Sequence, residues 1–370
     1  MRRVGVYRIN FPEPSETFIR AQLSTYRRYL PQVFAKRRLG DSIWPISAVS
    51  DFGGLKERAF LVSRSPRWHL QSMKTRPDLL HAHFGVDGVY ALPLSDRLAV
   101  PLVTTFHGFD VLTRPGWWMA HPSIPLVVYR SFIDQLKERG SRFIAVSKFV
   151  ERALLATGFP RDRVVQHYIG VDTEKFAPSE SLANAGRYVL CVGRHVEFKG
   201  IDVLLRAFAR IAGKHLDVRL IQVGSGPLSR MLRDLAGRLG LAGRTEFMGV
   251  QSSEKVLELM QGAEVFALPS LTQESGQAEA LGIVFNEASA CGIPIASTLS
   301  GGIPEVVLDG ETGLLCPERD EVSLAVNLDR LLEDAAMRRR LGARGRELVC
   351  ERFDLRRQTQ RLEDIYDGLF

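Results

Sequence analysis

Two glutamates, Glu279 and Glu287, bracket seven residues, most of them small or apolar, in the stretch EALGIVFNE. The apolar run and the Cys-Gly-Ile-Pro segment after it predict a helix that begins near Gly282–Ile283 and ends at Cys291–Gly292, where glycine can supply the left-handed cap. Glu279 then lies in the loop before this helix, and Glu287 lies just past its first turn. A buried helix with one exposed glutamate at each end is the alternative interpretation.

The start of this helix would offer backbone donors to an anion. The N–H groups of Gly282, Ile283 and Val284 have no intrahelical partner, and such a helix end binds phosphate readily. The two glutamates would accept hydrogen bonds from hydroxyl groups on either side of that phosphate. This pattern fits a ligand composed of a sugar, a diphosphate and a nucleoside. A glycine-rich turn, SGGIPE at 300–305, follows another predicted strand and ends in Glu305.

Two cations follow the predicted strand YVLCVG: Arg194 leaves the strand end, and Lys199 precedes the next predicted helix. Arginine can bind two oxygens while lysine supplies a compact charge, so the pair suits a diphosphate. Two solvated loop cations are the alternative. The sequence VGSGP at 223–227 resembles the start of a dinucleotide fingerprint, but Ser229 stands where the third glycine belongs. A tight strand-to-helix turn is therefore favoured over nicotinamide binding.

The composition, with 45% apolar and 25% charged residues, is typical of a soluble globular protein, and 370 residues suit two domains. No apolar run reaches the length of about 18 residues that a membrane span needs. The start MRRVGVYRIN is predicted to be a strand and not a signal peptide, because no apolar h-region follows. The four cysteines are far apart, which predicts a reduced, cytoplasmic protein without structural zinc.

The net charge of +7 is unevenly distributed: residues 1–170 carry 25 basic and 13 acidic side chains, whereas residues 171–370 are net acidic. The basic half is expected to meet an anionic partner. Residues 18–40 are a candidate amphipathic segment, which could lie on anionic lipid or be a solvated helix face. Nucleic acid is not expected, since the aromatic residues do not interleave with the basic ones.

Short apolar runs alternate with helix-periodic stretches, as in parallel sheets covered by helices. The candidate strands are RRVGVYRI, LLHAHF, PLVTTFH, FIAVS, YVLCVGR, VRLIQVG, TEFMG, VFALPS and IPIAST, and a helix is predicted around Thr17–Leu30. The predicted fold class is α/β, with two successive Rossmann-like, doubly wound domains and ligands beyond the carboxyl ends of the strands, in the cleft between the domains. The predicted domains are 1–172 and 187–351, with a linker at 173–186 and a C-terminal helix at 352–370 that packs on the first domain.

Five motifs occur in order in the second half: Arg194, Lys199-Gly200, Val223–Pro227, Glu279 to Glu287-Ala288, and Gly301–Glu305. Together they resemble the donor domain of the retaining family 4 glycosyltransferases, which have the GT-B fold. The first half carries HAHFG, TTFHGFD, AVSKFV and GVDTEKFAP in the order of that family, and SETFI resembles its branch that builds bacterial exopolysaccharides. The resemblance covers nearly the whole chain. It departs at Ala280, where glycine is frequent, and in NFPEPSETF, which replaces a Gly-Gly loop.

The resemblance implies transfer of a hexose from a UDP- or GDP-linked sugar to a lipid-linked or saccharide acceptor, in the cytoplasm or at the cytoplasmic face of the membrane. The basic first half predicts that this membrane surface is anionic. Arg194 and Lys199 would neutralise the leaving diphosphate, Glu279 would bind donor-sugar hydroxyls, and His107 would face the donor sugar from the first domain. A core histidine is the alternative for His107. The implied donor-binding residues are Gly224, Gly226, Met248, Gly282, Ile283, Val284 and Glu287. The implied acceptor-binding residues are Ser15, Glu16, Thr17 and His83.

Three other functions compete with sugar transfer. Paired carboxylates could hydrolyse a glycosidic bond, but the cations beside them suit a leaving group that is already anionic. An NAD(P)-dependent oxidoreductase on two Rossmann-like units is disfavoured by the broken fingerprint, and a non-catalytic nucleotide-sugar-binding subunit is disfavoured by the intact motifs. The sequence contains no Asp-x-Asp, the metal-binding motif of the other glycosyltransferase fold. A reaction that needs neither metal nor cofactor is therefore predicted.

Overall fold

The chain forms two parallel β-sheets, one in each of two structural units. The computed structural model describes residues 1–13, 16–50, 54–179 and 186–370. Unit 1 comprises Met1–Gly170 and Leu355–Phe370, and unit 2 comprises Val171–Asp354. Of the linker predicted at 173–186, residues 180–185 lie outside the described residues.

The sheet of unit 1 is fully parallel, and its central strands are buried on both faces. Its described strands are β1 (Arg2–Phe11), β2 (Tyr29–Arg38), β3 (Ile46–Ser50), β4 (Leu79–His83), β5 (Leu102–Phe106), β6 (Arg142–Ala145) and β7 (Val164–Gln166). Their order across the sheet is β3-β2-β1-β4-β5-β6-β7. The direction of chain progression reverses between β1 and β4, so this is the switch point where such sheets bind ligands.

The sheet of unit 2 repeats this topology with one strand fewer among the described residues. Its strands are β8 (Tyr188–Val192), β9 (Arg219–Val223), β10 (Thr245–Gly249), β11 (Val265–Ala267), β12 (Ile295–Thr298) and β13 (Gly313–Cys316). They lie in the order β10-β9-β8-β11-β12-β13, so the switch point lies between β8 and β11. The prediction of an α/β fold with two doubly wound units is confirmed.

Helices connect the strands of both units. In unit 1 they are α1 (Thr17–Thr25), α2 (Leu55–Ser63), α3 (Arg67–Ser72), α4 (Gly85–Leu98), α5 (Phe109–Leu112), α6 (Pro115–Ala120), α7 (Ile124–Arg139) and α8 (Lys148–Ala156). In unit 2 they are α9 (Ile201–Ile211), α10 (Ser229–Arg238), α11 (Ser253–Gly262), α12 (Ile283–Ala290), α13 (Ile303–Val306), α14 (Glu321–Glu333) and α15 (Ala335–Arg352). The last helix, α16 (Leu355–Asp367), belongs to unit 1.

The helix predicted around Thr17–Leu30 is wrong in its second half. The structure ends α1 at Thr25 and starts β2 at Tyr29, which pairs along its length with β1. Pro31 lacks the N–H that a continuing helix would need, and this strand is buried between β1 and β3. Strands β2, β3, β7 and β13 were absent from the predicted set.

Residues 18–40 do not form a free lipid-facing segment, so that interpretation is also wrong. Ile19 and Leu23 of α1 are buried in the core of unit 1 together with Leu362 and Tyr366 of α16. The guanidinium of Arg28 binds Asp364 at 2.6 Å and Asp367 at 2.7 Å, both on α16. The apolar face is therefore covered by α16, and one of the cations is neutralised by it.

Glu363 is the buried carboxylate that anchors α16. Its side chain is 2% exposed and accepts hydrogen bonds from the backbone N–H groups of Arg27 at 2.8 Å and Arg28 at 2.7 Å. Glu363→Ala should lower the free energy of unfolding by about 2 kcal/mol, because both donors lose their acceptor. Urea unfolding followed by circular dichroism measures this loss.

Asp364→Ala on the same helix is the matched control. Asp364 also binds Arg28 but is 60% exposed, so its removal should cost less than about 1 kcal/mol. Equal losses for the two variants would mean that the buried backbone hydrogen bonds do not anchor α16.

Candidate active site

The switch point of unit 2 brings together two of the predicted catalytic residues. Lys199 ends a short 3₁₀ turn after β8, and its ammonium forms an ion pair with the carboxylate of Glu279. Ser270, which follows β11, donates from Oγ to Oε2 of Glu279 at 3.3 Å. Both partners of the ion pair are mostly buried, so removing either would leave the other charge poorly compensated.

Arg194 lies beside this pair in sequence and is exposed. Its guanidinium forms no ion pair with any residue that the structure describes. The backbone around it is fixed, since the N–H of Gly193 donates to Val223 at 2.9 Å and that of His195 to Ser225 at 2.9 Å. The loop therefore holds a cation at the strand end with its charge available to an anion.

His195 is a residue that sequence reasoning missed. Its buried ring contacts Gln222 Oε1 through Nε2 at 2.5 Å and Ser229 Oγ through Nδ1 at 2.7 Å. Ser229 is the residue that breaks the dinucleotide fingerprint, and its Oγ also donates to the carbonyl of Gly226 at 2.6 Å. His195 thus ties the Arg194 loop to the 223–227 turn. No local pattern signals this, because both partners lie distant in sequence.

The glycines of the 223–227 turn allow two loops to touch through their main chains. Gly224 has φ +132°, and a Cβ there would lie 2.1 Å from the carbonyl oxygen of Gly193. A Cβ at Gly226 would lie 2.6 Å from the carbonyl oxygen of His195. The neighbouring strand β10 carries Met248, and the carbonyl of its Gly249 accepts the N–H of Gly224 at 2.8 Å. Both glycines are therefore required by the close approach of the main chains in a tight strand-to-helix turn.

Helix α12 begins and ends where the sequence predicts. Gly282 is its N-cap with φ +80°, and Gly292 follows its end with φ +78°. The N–H groups of Gly282, Ile283 and Val284 donate to no acceptor among the described residues. Gly301 packs on the same loop, since a Cβ there would lie 2.1 Å from the carbonyl oxygen of Glu279. The two motifs are therefore joined main chain to main chain.

Glu287 lies on α12, partly buried, and its carboxyl has no hydrogen-bond partner among the described residues. Burial raises the pKa of Glu287 to about 7, and Lys175 opposes the shift. The side chain can therefore change its protonation state near neutral pH.

In unit 1, His83 and His107 lie at the ends of the neighbouring strands β4 and β5. Nδ1 of His83 is 3.2 Å from Nε2 of His107, and Nε2 of His83 is buried without a partner among the described residues. The rings of Phe18 and Phe84 lie 5.1 Å and 4.5 Å from that of His107. Burial lowers the pKa of both histidines well below 6.5, so both are neutral at pH 7.

Arg8 on β1 connects this histidine pair to Glu16. Its guanidinium donates to Glu16 at 2.5 and 3.0 Å, to the carbonyl of His83 at 2.9 Å, and to the carboxylate of Asp87. Burial opposes the charge of Arg8, but Asp87 and Glu16 raise its pKa above the ordinary value. Thr17 is exposed at the start of α1, and Ser15 lies outside the described residues.

Phe84 and Asp110, both inside quoted motifs, were not singled out as functional. Phe84 has φ +76° and ψ 144°, a conformation that costs a non-glycine residue on the order of 1–3 kcal/mol. Asp110 accepts the N–H groups of Gly85 at 2.6 Å and Gly108 at 3.0 Å, so it joins the loops that follow β4 and β5. The strain and the buried carboxylate both act on the position of the histidine pair.

Two features are absent from the described part of the chain. No three His, Cys, Asp or Glu side chains there lie close enough together to hold a metal ion. No helix there is both long and apolar enough to cross a membrane.

The chain matches two family models. Residues 172–348 match the model described as glycosyl transferases group 1, and residues 29–175 match that of glycosyltransferase family 4. A GDP-mannose-dependent α-(1-6)-phosphatidylinositol monomannoside mannosyltransferase of Mycolicibacterium smegmatis is 32% identical over 79% of this chain and 77% of its own length. WcaL of Escherichia coli K12, named for colanic acid biosynthesis, is 33% identical over 68% of this chain, and the match spans 61% of WcaL.

Solved structures share the fold over the whole chain. HepE of Anabaena, crystallised with UDP and glucose, has a TM-score of 0.80 at 22% identity, and the alignment covers 100% of both chains. A sucrose-phosphate synthase of Thermosynechococcus elongatus has a TM-score of 0.80 at 21% identity, with 100% of this chain and 99% of that one covered. At these identities the likeness establishes the fold.

Glu287→Gln should change how the stability of the protein depends on pH. Because the native pKa of Glu287 is raised from 4.5 to about 7, its contribution to stability is fully present below the lower value and is lost as the pH rises through the upper one. Glutamine cannot ionise. As the pH rises through this window, the free energy of unfolding of the wild type should therefore fall relative to that of the variant, by up to about 1.4 kcal/mol per pH unit.

Urea unfolding at a series of pH values measures both slopes. Glu311→Gln, an exposed position in the same unit, is the control and should leave the slope unchanged. The same slope in the wild type and in Glu287→Gln would show that this carboxyl does not titrate near neutral pH.

Proposed function

Since the chain belongs to the family 4 glycosyltransferases and has their GT-B fold, we propose that it transfers a hexose from a UDP- or GDP-linked sugar to a lipid-linked or saccharide acceptor in exopolysaccharide or glycoconjugate biosynthesis. The observation that carries this proposal is the group at the switch point of unit 2. There an exposed guanidinium, a mostly buried Lys–Glu ion pair and an open helix N-terminus lie on loops whose main chains pack against one another.

Each part of a nucleotide sugar has a matching group in unit 2. Arg194 binds the diphosphate as the exposed cation, and Lys199 adds a second charge while it orients Glu279. The N–H groups of Gly282, Ile283 and Val284 donate to phosphate or sugar oxygens. Glu279 accepts hydroxyl groups of the sugar and Glu287 those of the ribose. Gly224, Gly226 and Met248 border the nucleoside. The names of the relatives, which include a GDP-mannose-dependent enzyme and a protein bound to UDP, support this donor class.

The proposed step breaks the bond between the anomeric carbon and the diphosphate oxygen and forms a bond from that carbon to an acceptor oxygen. The acceptor proton moves to the departing diphosphate, whose developing charge is stabilised by Arg194 and Lys199. Fixed cations placed where charge develops are usually the largest catalytic term. Attack on the same face as the departing group retains the anomeric configuration, and no side chain is required as a covalent nucleophile.

In this proposal unit 1 contributes His107, which faces the donor sugar, and it also supplies the acceptor side of the reaction. The neutral pair His83–His107 can donate and accept hydrogen bonds to sugar hydroxyls, and Glu16 and Thr17 border the same region through Arg8 and α1. In this region residues 10–18 replace the Gly-Gly loop that many members of the family carry, so the sequence here differs from the family pattern. We also propose that the reaction needs no metal and takes place at the cytoplasmic face of an anionic membrane.

Glu279→Gln should lower kcat by two or more orders of magnitude and change the Kd for the nucleotide little. The amide keeps the shape of the side chain but loses the charge that pairs with Lys199 and one strong acceptor for the sugar. Initial rates with the donor and acceptor, and calorimetric titration with the nucleoside diphosphate, separate the two effects. Glu311→Gln should match the wild type in both. Equal losses in kcat and in nucleotide affinity would mean that Glu279 does not act on the sugar.

A thermal-shift screen with EDTA present throughout tests the donor class. UDP, GDP, ADP and dTDP, their common sugar conjugates and NAD(P) are compared, because a ligand that binds the native state raises Tm by mass action. A shift with UDP or GDP and one of its sugars is expected in the wild type and should be smaller in Arg194→Ala. A shift with NAD(P) alone would overturn the proposal, and binding without turnover on any acceptor would favour a non-catalytic subunit. A requirement for added Mn²⁺ would refute metal independence.

A further inference from the structure

An exposed apolar surface with a basic rim lies on unit 1, on helices that play no part in the proposed site. We name it the α2–α7 surface and define it by the exposed side chains of residues 54–68 and 113–133, which include α2, α6 and the first part of α7. We infer that this surface docks on an anionic lipid bilayer. The inference deepens the proposed function, because a lipid-linked acceptor would be met there, but it can be tested by binding alone.

The outward face of α2 is apolar and regular. Leu55 and Val62 are 84% and 68% exposed, whereas Glu57 and Phe60, on the other side of the helix, are buried. Spacings of three and four residues place Leu55, Arg58 and Val62 on one face of a helix. Single exposed aliphatic side chains are common, but a contiguous exposed apolar patch marks an interaction site.

Helix α7 continues this face. Val62 of α2 lines one groove of about 450 Å³ together with Pro122, Ser123, Ile124, Val127 and Val128. The end of α2 is fixed to α7 by the Arg64 guanidinium, which lies 3.5 Å above the ring centre of Phe132. Met119 on α6, 61% exposed, and the partly exposed Trp117 extend the apolar area just before α7. Tryptophan is a side chain that favours the membrane interface.

The charges on these segments have one sign. Within the described segments 54–68 and 113–133, the exposed charged side chains are Lys56, Arg58, Arg67, Arg114 and Arg130. Glu57 is the acidic residue of these segments, and it is buried in ion pairs with Lys36 at 3.0 Å and Arg37 at 2.6 Å. The first exposed carboxylate of α7 is Asp134, which is paired with Lys137.

The combination of an apolar face and a basic rim favours an anionic lipid surface as the binding partner. An apolar face rimmed by lysine and arginine binds the interface of anionic lipids, where side chains enter the boundary between head groups and acyl chains. A second copy of this surface would bring five cations against five cations, and like charges oppose that contact. The same reasoning disfavours a purely apolar protein partner, since the rim cations would lose water without gaining a counter-charge.

Vesicle co-sedimentation of the full chain tests the inference. Vesicles of phosphatidylcholine alone are compared with vesicles of equal parts phosphatidylcholine and phosphatidylglycerol. The wild type should bind the anionic vesicles, and the partition coefficient should fall as salt rises toward about 1 M. The double variant Arg58→Glu/Arg130→Glu should bind at least about tenfold more weakly, because each basic side chain near an anionic surface contributes about fivefold. Val62→Glu/Val127→Glu should also weaken binding.

Matched controls lie on exposed positions of unit 2. Arg230→Glu and Leu216→Glu make the same chemical changes, the latter at a side chain 75% exposed, and both should bind like the wild type. Absence of binding to anionic vesicles would overturn the inference, as would equal losses in the controls. Sedimentation without vesicles tests whether a second copy of the chain covers this surface instead. A wild-type dimer that Val62→Glu/Val127→Glu converts to monomer would show that it does and would overturn the inference. Full transferase activity in detergent with lost vesicle binding would support the inference and leave the proposed function intact.

Discussion

The ion pair between Lys199 and Glu279 is the interaction on which the arrangement of unit 2 depends. It joins the loops that follow β8 and β11, the two strands between which the sheet changes direction. A buried lysine or glutamate alone would pay a large desolvation cost, so each residue requires the other. The pair fixes the main chain before α12, and the carbonyl of Glu279 then receives the N–H of Gly302 at 2.8 Å. One electrostatic contact thus positions the helix N-terminus and the 300–305 turn.

Unit 1 solves a similar problem with a buried arginine. Arg8 reaches from β1 to the carbonyl of His83 on β4 and is neutralised by Asp87 and Glu16. The N-terminal loop, which departs from the family pattern, is therefore tied to the histidine pair by a charge on the neighbouring strand. Asp110 performs the corresponding task between β4 and β5, through backbone N–H groups alone. In both units the switch point is where charged side chains hold loops together.

The basic excess of the first half has two different fates in the structure. Some of these cations form ion pairs with carboxylates of unit 1, namely Arg8, Arg28 and Arg37. The ion pair of Arg28 attaches α16 to the segment just before β2. The five cations of the α2–α7 surface remain exposed, and aliphatic side chains beside them are exposed as well. A sum of charges over the sequence does not separate these groups. Burial and pairing do: they exclude residues 18–40 as a lipid-facing segment and leave the α2–α7 surface as the one that we propose to face lipid.

The sequence by itself determined the fold class, the positions of most strands along the chain and the limits of α12, because these follow from local periodicity and from the cap residues Gly282 and Gly292. Motif spacing also singled out Arg194, Lys199 and Glu279 as candidate site residues. Only the tertiary structure decided that β2 is a strand, that Lys199 pairs with Glu279 and that His195 and Arg8 support the site. These depend on partners distant in the chain, and the energy of a buried charge or hydrogen bond is set by where the fold places its partner, not by the residues beside it.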